Sequence, residues 1–145
     1  MRSVLIALVA GFLSLLPVSV RAQTDVPPRV TQGLDAYRSG SVEAAADAWF
    51  AGYMGDTYPE MKRSVRVRLR QFEHGTGPIK GYEYVGEVRL GPSTRRIFYT
   101  LLYRDFPAFA RFDVYQAGGE WRVLGVIVDS NPAEVFPHEM LAPAG

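Results

Sequence analysis

The chain has 145 residues and no cysteine, so disulfides, thiolate metal sites, thiol nucleophiles and a lipid-bearing N-terminal cysteine are excluded by composition. Sixteen basic side chains stand against 15 acidic ones, a balance that argues against a general nucleic-acid binder, which carries a marked positive excess.

Arg2, an apolar run from Val4 to Val18 interrupted by Gly11, Ser14 and Pro17, and Val20-Arg21-Ala22 before Gln23 predict a secretory signal peptide over residues 1–22, cut after Ala22. The run falls short of the ~20 apolar residues that span a bilayer, so no membrane span is expected after cleavage. The expectation is an exported, periplasmic protein with a single domain over residues 23–145, ordered from about 29 to 136. Without Arg2 and Arg21, 14 basic residues face 15 acidic ones, a balance of −1.

Residues 23–28 are polar and proline-bearing and read as a leader. Val30, Leu34 and Tyr37 recur at helical spacing, with Gly40 placed for a left-handed C-cap. Ser41 caps a second predicted helix, whose apolar stripe runs Val42, Ala45, Ala46, Trp49, Phe50 and Tyr53 up to a stop at Gly55. The two make an antiparallel hairpin. Gly33-Leu34-Asp35-Ala36-Tyr37, followed by Gly40, Ala44, Ala45 and Trp49, resembles one tetratricopeptide-type pair, but a single copy makes no solenoid. Thr57 and Glu60 have capping-box spacing around Pro59 and predict a third helix over about 59–73. Val65, Val67 and Leu69 alternate with Arg66, Arg68 and Arg70 in strand period, so a strand over 63–72 remains the alternative.

From Gly81 the period becomes two. Strands are predicted over about 82–90, 96–104, 109–116 and 120–129, joined by Gly91-Pro92, Asp105-Phe106-Pro107 and a Gly118-Gly119 hairpin. Such short links favour an antiparallel meander. Asn131 and Pro132 start a short turn, and the chain from Pro137 reads as loose. Helices followed by strands make an α+β domain with the helices on one sheet face.

Three segments carry a family likeness: Gly81-Tyr82-Glu83-Tyr84-Val85, then Ile97 through Tyr103, then Gly118-Gly119-Glu120-Trp121-Arg122-Val123-Leu124-Gly125. They resemble small exported bacterial domains of the nuclear transport factor two-like, cystatin-like superfamily, over roughly residues 30–136. The resemblance implies three N-terminal helices packed on a curved four-stranded antiparallel sheet, a cystatin-like cone with an internal cavity and frequent dimerisation through the sheet. It implies no single activity, since its members include isomerases, cyclases, dehydratases and proteins without known chemistry.

Asp113 is the best-placed carboxylate for an isomerase-like general base, with Tyr84, Tyr99, Tyr103 or Tyr115 as donor. Its plain reading is a surface pair with Arg111, two residues away on the same strand face. His74 and His138 have no partners at metal-ligand spacing, so no metal or cofactor is expected. The Gly75–Lys80 stretch lacks the residues and context of a phosphate loop. Arg63, Arg66 and Arg70 share a helix face suited to an acidic partner, against the default of a solvated face. On the last strand, Trp121, Val123 and Ile127 alternate with Leu124, Val126 and Val128, so both faces are apolar and one needs a cover beyond the helices.

Three functional readings follow. The first is a non-enzymatic exported domain binding a small apolar ligand or a protein partner through Tyr84, Tyr99, Tyr103, Arg111, Tyr115 and Trp121, as a homodimer through the sheet. The second is a cone-fold enzyme of isomerase or cyclase type using Asp113 and a tyrosine. The third is an envelope interaction module docking through Arg63, Arg66 and Arg70.

Overall fold

A computed structural model describes residues 25–142. The predicted signal peptide, residues 1–22, lies outside the described residues. Four helices precede a four-stranded sheet: α1 (Pro28–Ser39), α2 (Val42–Trp49), α3 (Tyr53–Thr57) and α4 (Pro59–Thr76), then β1 (Ile79–Arg89), β2 (Thr94–Tyr103), β3 (Pro107–Ala117) and β4 (Glu120–Asp129). A 3-10 turn (Pro132–Glu134) and a short helix α5 (His138–Leu141) follow. The sheet is an open antiparallel meander in the order β1-β2-β3-β4, as the short links predict.

The helical half departs from expectation at its caps. Ser41 does cap α2, its hydroxyl accepting the Ala44 N–H at 3.1 Å. Gly40 is not left-handed, with φ −132°; a side chain there would come within 2.8 Å of the Ala36 carbonyl oxygen. The expected long second helix is broken at Gly52, whose φ of +70° suits glycine, and the expected stop at Gly55 falls inside α3. Tyr53 therefore leaves the buried stripe and is 54% exposed. The Thr57–Glu60 capping box does not form, because Thr57 ends α3 and Tyr58 precedes α4 with Pro59 at its first position. Among the described residues, four helices precede the sheet where three were expected.

Residues 63–72 are helical. Val65 and Leu69 are buried, with Met61 and Phe72 packed on the same core, while Val67 is 49% exposed. Helical spacing is the one that serves the core, and the alternating valines do not. Gly77, at φ +80°, ends α4 with its N–H on the Glu73 carbonyl at 2.9 Å.

The inner sheet face carries Ile97, Tyr99, Leu101 and Tyr103 from β2 and Ala108, Ala110, Phe112 and Val114 from β3, all buried. Trp49 meets Phe112 edge-on at 5.2 Å, and its indole N–H donates to the Val30 carbonyl at 3.1 Å. Gly33 lies under that ring; any side chain would overlap it.

The outer face finds part of its cover in the chain itself. Phe136 packs edge-on against Phe98 and Phe109, at 5.7 and 5.3 Å, and Val135 is buried beside it. The segment after Pro137 forms α5, with Met140 against Gly86, where a loose tail was expected. The face assignment in β4 also changes. Asp113 pairs with Gly125 and Val114 with Val123, leaving Leu124 as an inserted residue. Past that bulge the alternation inverts, so Val123, Val126 and Val128 serve the core while Leu124 and Ile127 are 37% and 41% exposed.

Candidate functional site

The six residues predicted to line a ligand site do not converge. Tyr99 and Tyr103 are buried on the inner face, and Tyr84 and Trp121 pack against the same core. Tyr103 and Tyr37 join hydroxyl to hydroxyl at 2.9 Å, and Tyr103 stacks on Phe72. Tyr84 and Tyr82 flank Tyr99 edge-on, and the buried Tyr99 hydroxyl meets no hydrogen-bonding partner among the described residues. Burial, reinforced by the Tyr103 hydroxyl and the Glu73 carboxylate, holds the Tyr37 phenol far above its ordinary range. Burial likewise raises Tyr99, and it pushes Tyr103 up to about 12. These phenols are neutral structural groups at ordinary pH.

Arg111 and Tyr115 lie on the opposite face. Asp113 sits there too, between Arg96 Nε at 3.1 Å and an Arg111 terminal nitrogen at 3.1 Å, which is the surface pair its plain reading predicts. The sheet separates this carboxylate from Tyr84, Tyr99 and Tyr103, so of the four candidate donors only Tyr115 shares its face. Arg111 instead helps line a concavity of about 240 Å³ floored by Val88, Phe98 and Phe136.

The arginine face of α4 is largely engaged within the fold. Arg66 bonds Asp47 at 2.8 Å, Lys62 pairs with the same carboxylate, and Arg70 pairs with Glu43. The Lys62 hydrogen bond, with the charges of Lys62 and Arg66, holds the Asp47 carboxyl below its usual range. Arg68 reaches the other way, to the Val128 carbonyl at 2.9 Å and the Asp129 carboxylate at 2.8 Å. Of the predicted trio, Arg63 alone joins no ion pair among the described residues.

The larger concavity lies where α3 and α4 pass β4. It encloses about 320 Å³ and is lined by Tyr53, Met54, Tyr58, Met61, Tyr115, Arg122 and Leu124. Each lining group has a local cause. The turn at Gly52 swings Tyr53 outward, where it meets Tyr58 edge-on at 6.3 Å. Tyr115 and Arg122 are register partners on β3 and β4, which puts them side by side. The bulge directs Leu124 to the same side. The Arg122 guanidinium lies over the Tyr53 ring at 5.0 Å. A second hollow of about 270 Å³, lined by Phe50, Glu60, Met61, Ser64, Val65 and Gly125-Val126, lies on the other side of Met61.

No protein-family model matches this chain, and no curated protein matches it.

Of the six residues predicted to line a ligand site, Tyr115 alone is in this groove, joined by Leu124 from the doubly apolar last strand. Tyr53 is expected in a core stripe, and Tyr58, Met54, Met61 and Arg122 carry no site expectation. Among the described residues no cluster of three or more His, Asp or Glu side chains is placed to hold a metal ion, and His74 occupies the last turn of α4. No described helix is long and apolar enough to cross a membrane.

Proposed function

We propose that this chain is an exported, non-enzymatic binding domain that takes a small apolar ligand in the groove between α3, α4 and β4. One observation carries the reading. Three exposed tyrosines, two methionines, a leucine and a single arginine surround one concavity of about 320 Å³. Its size is at the lower end of small-molecule sites, which run ~300–1,000 Å³, and its lining has the aromatic, methionine and arginine bias of recognition surfaces. The cone architecture belongs to the same proposal and draws support from α1, α3 and α4 packing against the sheet, with α2 reaching it through Trp49. Export, with the periplasm as destination, rests on residues 1–22. A homodimer through the sheet would use the strip around Leu124 and Ile127 that Phe136 leaves open.

The enzymatic reading draws less support, because Asp113 is engaged by two arginines and, of its candidate donors, only Tyr115 shares its face. The docking reading on α4 loses Arg66 and Arg70 to Asp47 and Glu43.

Titration of the mature protein with 2-naphthylmethanol, followed by backbone-amide NMR, tests the groove. Shifts concentrated at Tyr53, Met61, Tyr115 and Leu124, and weakened at least ~5-fold in affinity by Tyr115→Ala, are expected from the contact area one aromatic ring contributes. Shifts confined to the inner-face tyrosines, or none at all, overturn the assignment.

A further inference from the structure

Twelve arginines fall within residues 25–142, and ten of them join an ion pair there: Arg29, Arg38, Arg66, Arg68, Arg70, Arg89, Arg95, Arg96, Arg104 and Arg111. Arg63 is exposed on α4. Arg122 is the other exception, and it is held inside the aromatic groove. Its guanidinium carbon lies 5.0 Å from the centre of the Tyr53 ring, within cation–π range. Its N–H groups join no ion pair among the described residues, so their fork is available to a carboxylate. The remaining lining, from Tyr53, Met54, Tyr58, Met61, Tyr115 and Leu124, offers apolar surface and three phenol hydroxyls but no carboxylate.

We infer that the groove selects small amphipathic carboxylic acids, with the carboxylate on Arg122 and the apolar body against the tyrosines, methionines and Leu124. This rests on the groove being the binding site proposed above and adds the chemical class of its ligand. The argument is charge complementarity. A cation seated against an aromatic wall, partly shielded from water and paired with no carboxylate, with the nearest hollow's acid, Glu60, beyond Met61, gains more from an incoming carboxylate than a solvated surface arginine does. Removal of that charge should abolish discrimination between an acid and its neutral analogue while leaving the apolar contribution in place.

The experiment compares 2-naphthoate with 2-naphthylmethanol, two probes of the same ring system that differ in charge, by calorimetry and amide NMR on the wild-type protein and on Arg122→Met. Methionine keeps an unbranched apolar stem over Tyr53, and circular dichroism verifies that the variant is folded. The expected result is on the order of 10-fold tighter binding of naphthoate to the wild type, the scale of one charge-assisted contact in a part-exposed site. That preference should weaken with added salt and be lost in Arg122→Met, so that the variant binds naphthoate no more tightly than naphthylmethanol. Equal affinities in the wild type, or a preference that survives Arg122→Met, overturn the anion assignment and leave the groove standing. Failure of both probes to shift groove residues overturns the groove and the ligand class together.

Discussion

Raising the pH should unfold this protein steeply, and the three most buried phenols set the slope. Tyr37, Tyr99 and Tyr103 are 2%, 0% and 6% exposed, and burial is the first cause of the raised pKa of each. In the unfolded chain a tyrosine loses its proton near pH ~10, so above that value the unfolded state binds fewer protons than the fold and stability falls. Below pH ~10 both states are protonated and the full stability is present. Each such phenol removes ~1.4 kcal/mol per pH unit, and three together remove about 4 kcal/mol per pH unit. The share of Tyr103 is exhausted once the pH passes its folded value of about 12, whereas Tyr37 and Tyr99 keep their protons beyond it. Against a typical domain stability of ~5–15 kcal/mol, unfolding is expected within roughly two to three pH units above 10. Far-UV circular dichroism and phenolate absorbance, recorded together, provide the assay. The phenolate signal of the three buried residues should appear only as the circular dichroism is lost, and Tyr37→Phe/Tyr103→Phe should cut the slope to about one third. Reversible ionisation of all eight tyrosines with circular dichroism intact would refute the reasoning.

Two substitutions test the interior directly. Gly33→Ala should cost about 3 kcal/mol in urea denaturation, because the new methyl overlaps the buried Trp49 ring and displaces it from its hydrogen bond to Val30; a loss under ~1 kcal/mol would show that α1 and α2 separate freely there. Tyr99→Phe removes a buried hydroxyl that has no partner, so stability should hold or rise by about 1 kcal/mol. A loss greater than that from the same substitution would mean the hydroxyl is bonded in solution.

The strands were the most legible part of the chain. Period-two alternation and the glycine pair, at φ +58° and +81°, mark the β3–β4 hairpin, and β4 spans Glu120–Asp129 as read. The errors have local physical causes. Gly52 and Gly55 are equally permissive in sequence, and only the fold reveals that the left-handed turn is at Gly52. The Leu124 bulge is silent in a strand that is apolar on both faces, because shifting the alternation by one residue puts Val126 and Val128 inward in place of Gly125 and Ile127. The α4 arginines read as an open basic face because their partners, Asp47 and Glu43, come from a separate helix. The groove was invisible for the same kind of reason: Tyr53 and Tyr58 meet Tyr115 and Arg122 only after α3 is laid beside the last hairpin.

The C-terminal cover of the sheet bears on how the chain behaves while it is being made. Trp49 of α2 closes on Phe112 and Tyr37 of α1 on Tyr103, while Phe98 of β2 closes on Phe136, so the buried aromatic contacts of the first two helices await strands synthesised much later. A chain emerging N-terminus first therefore offers a helical hairpin with a bare apolar stripe for most of its synthesis. A nascent product stalled before Val135 and Phe136 would have its strands but not their outer seal, and would be a client for chaperones or proteases. Completion of the fold waits for Val135 and Phe136 to emerge, so the outer sheet face stays open while the residues before them are being made.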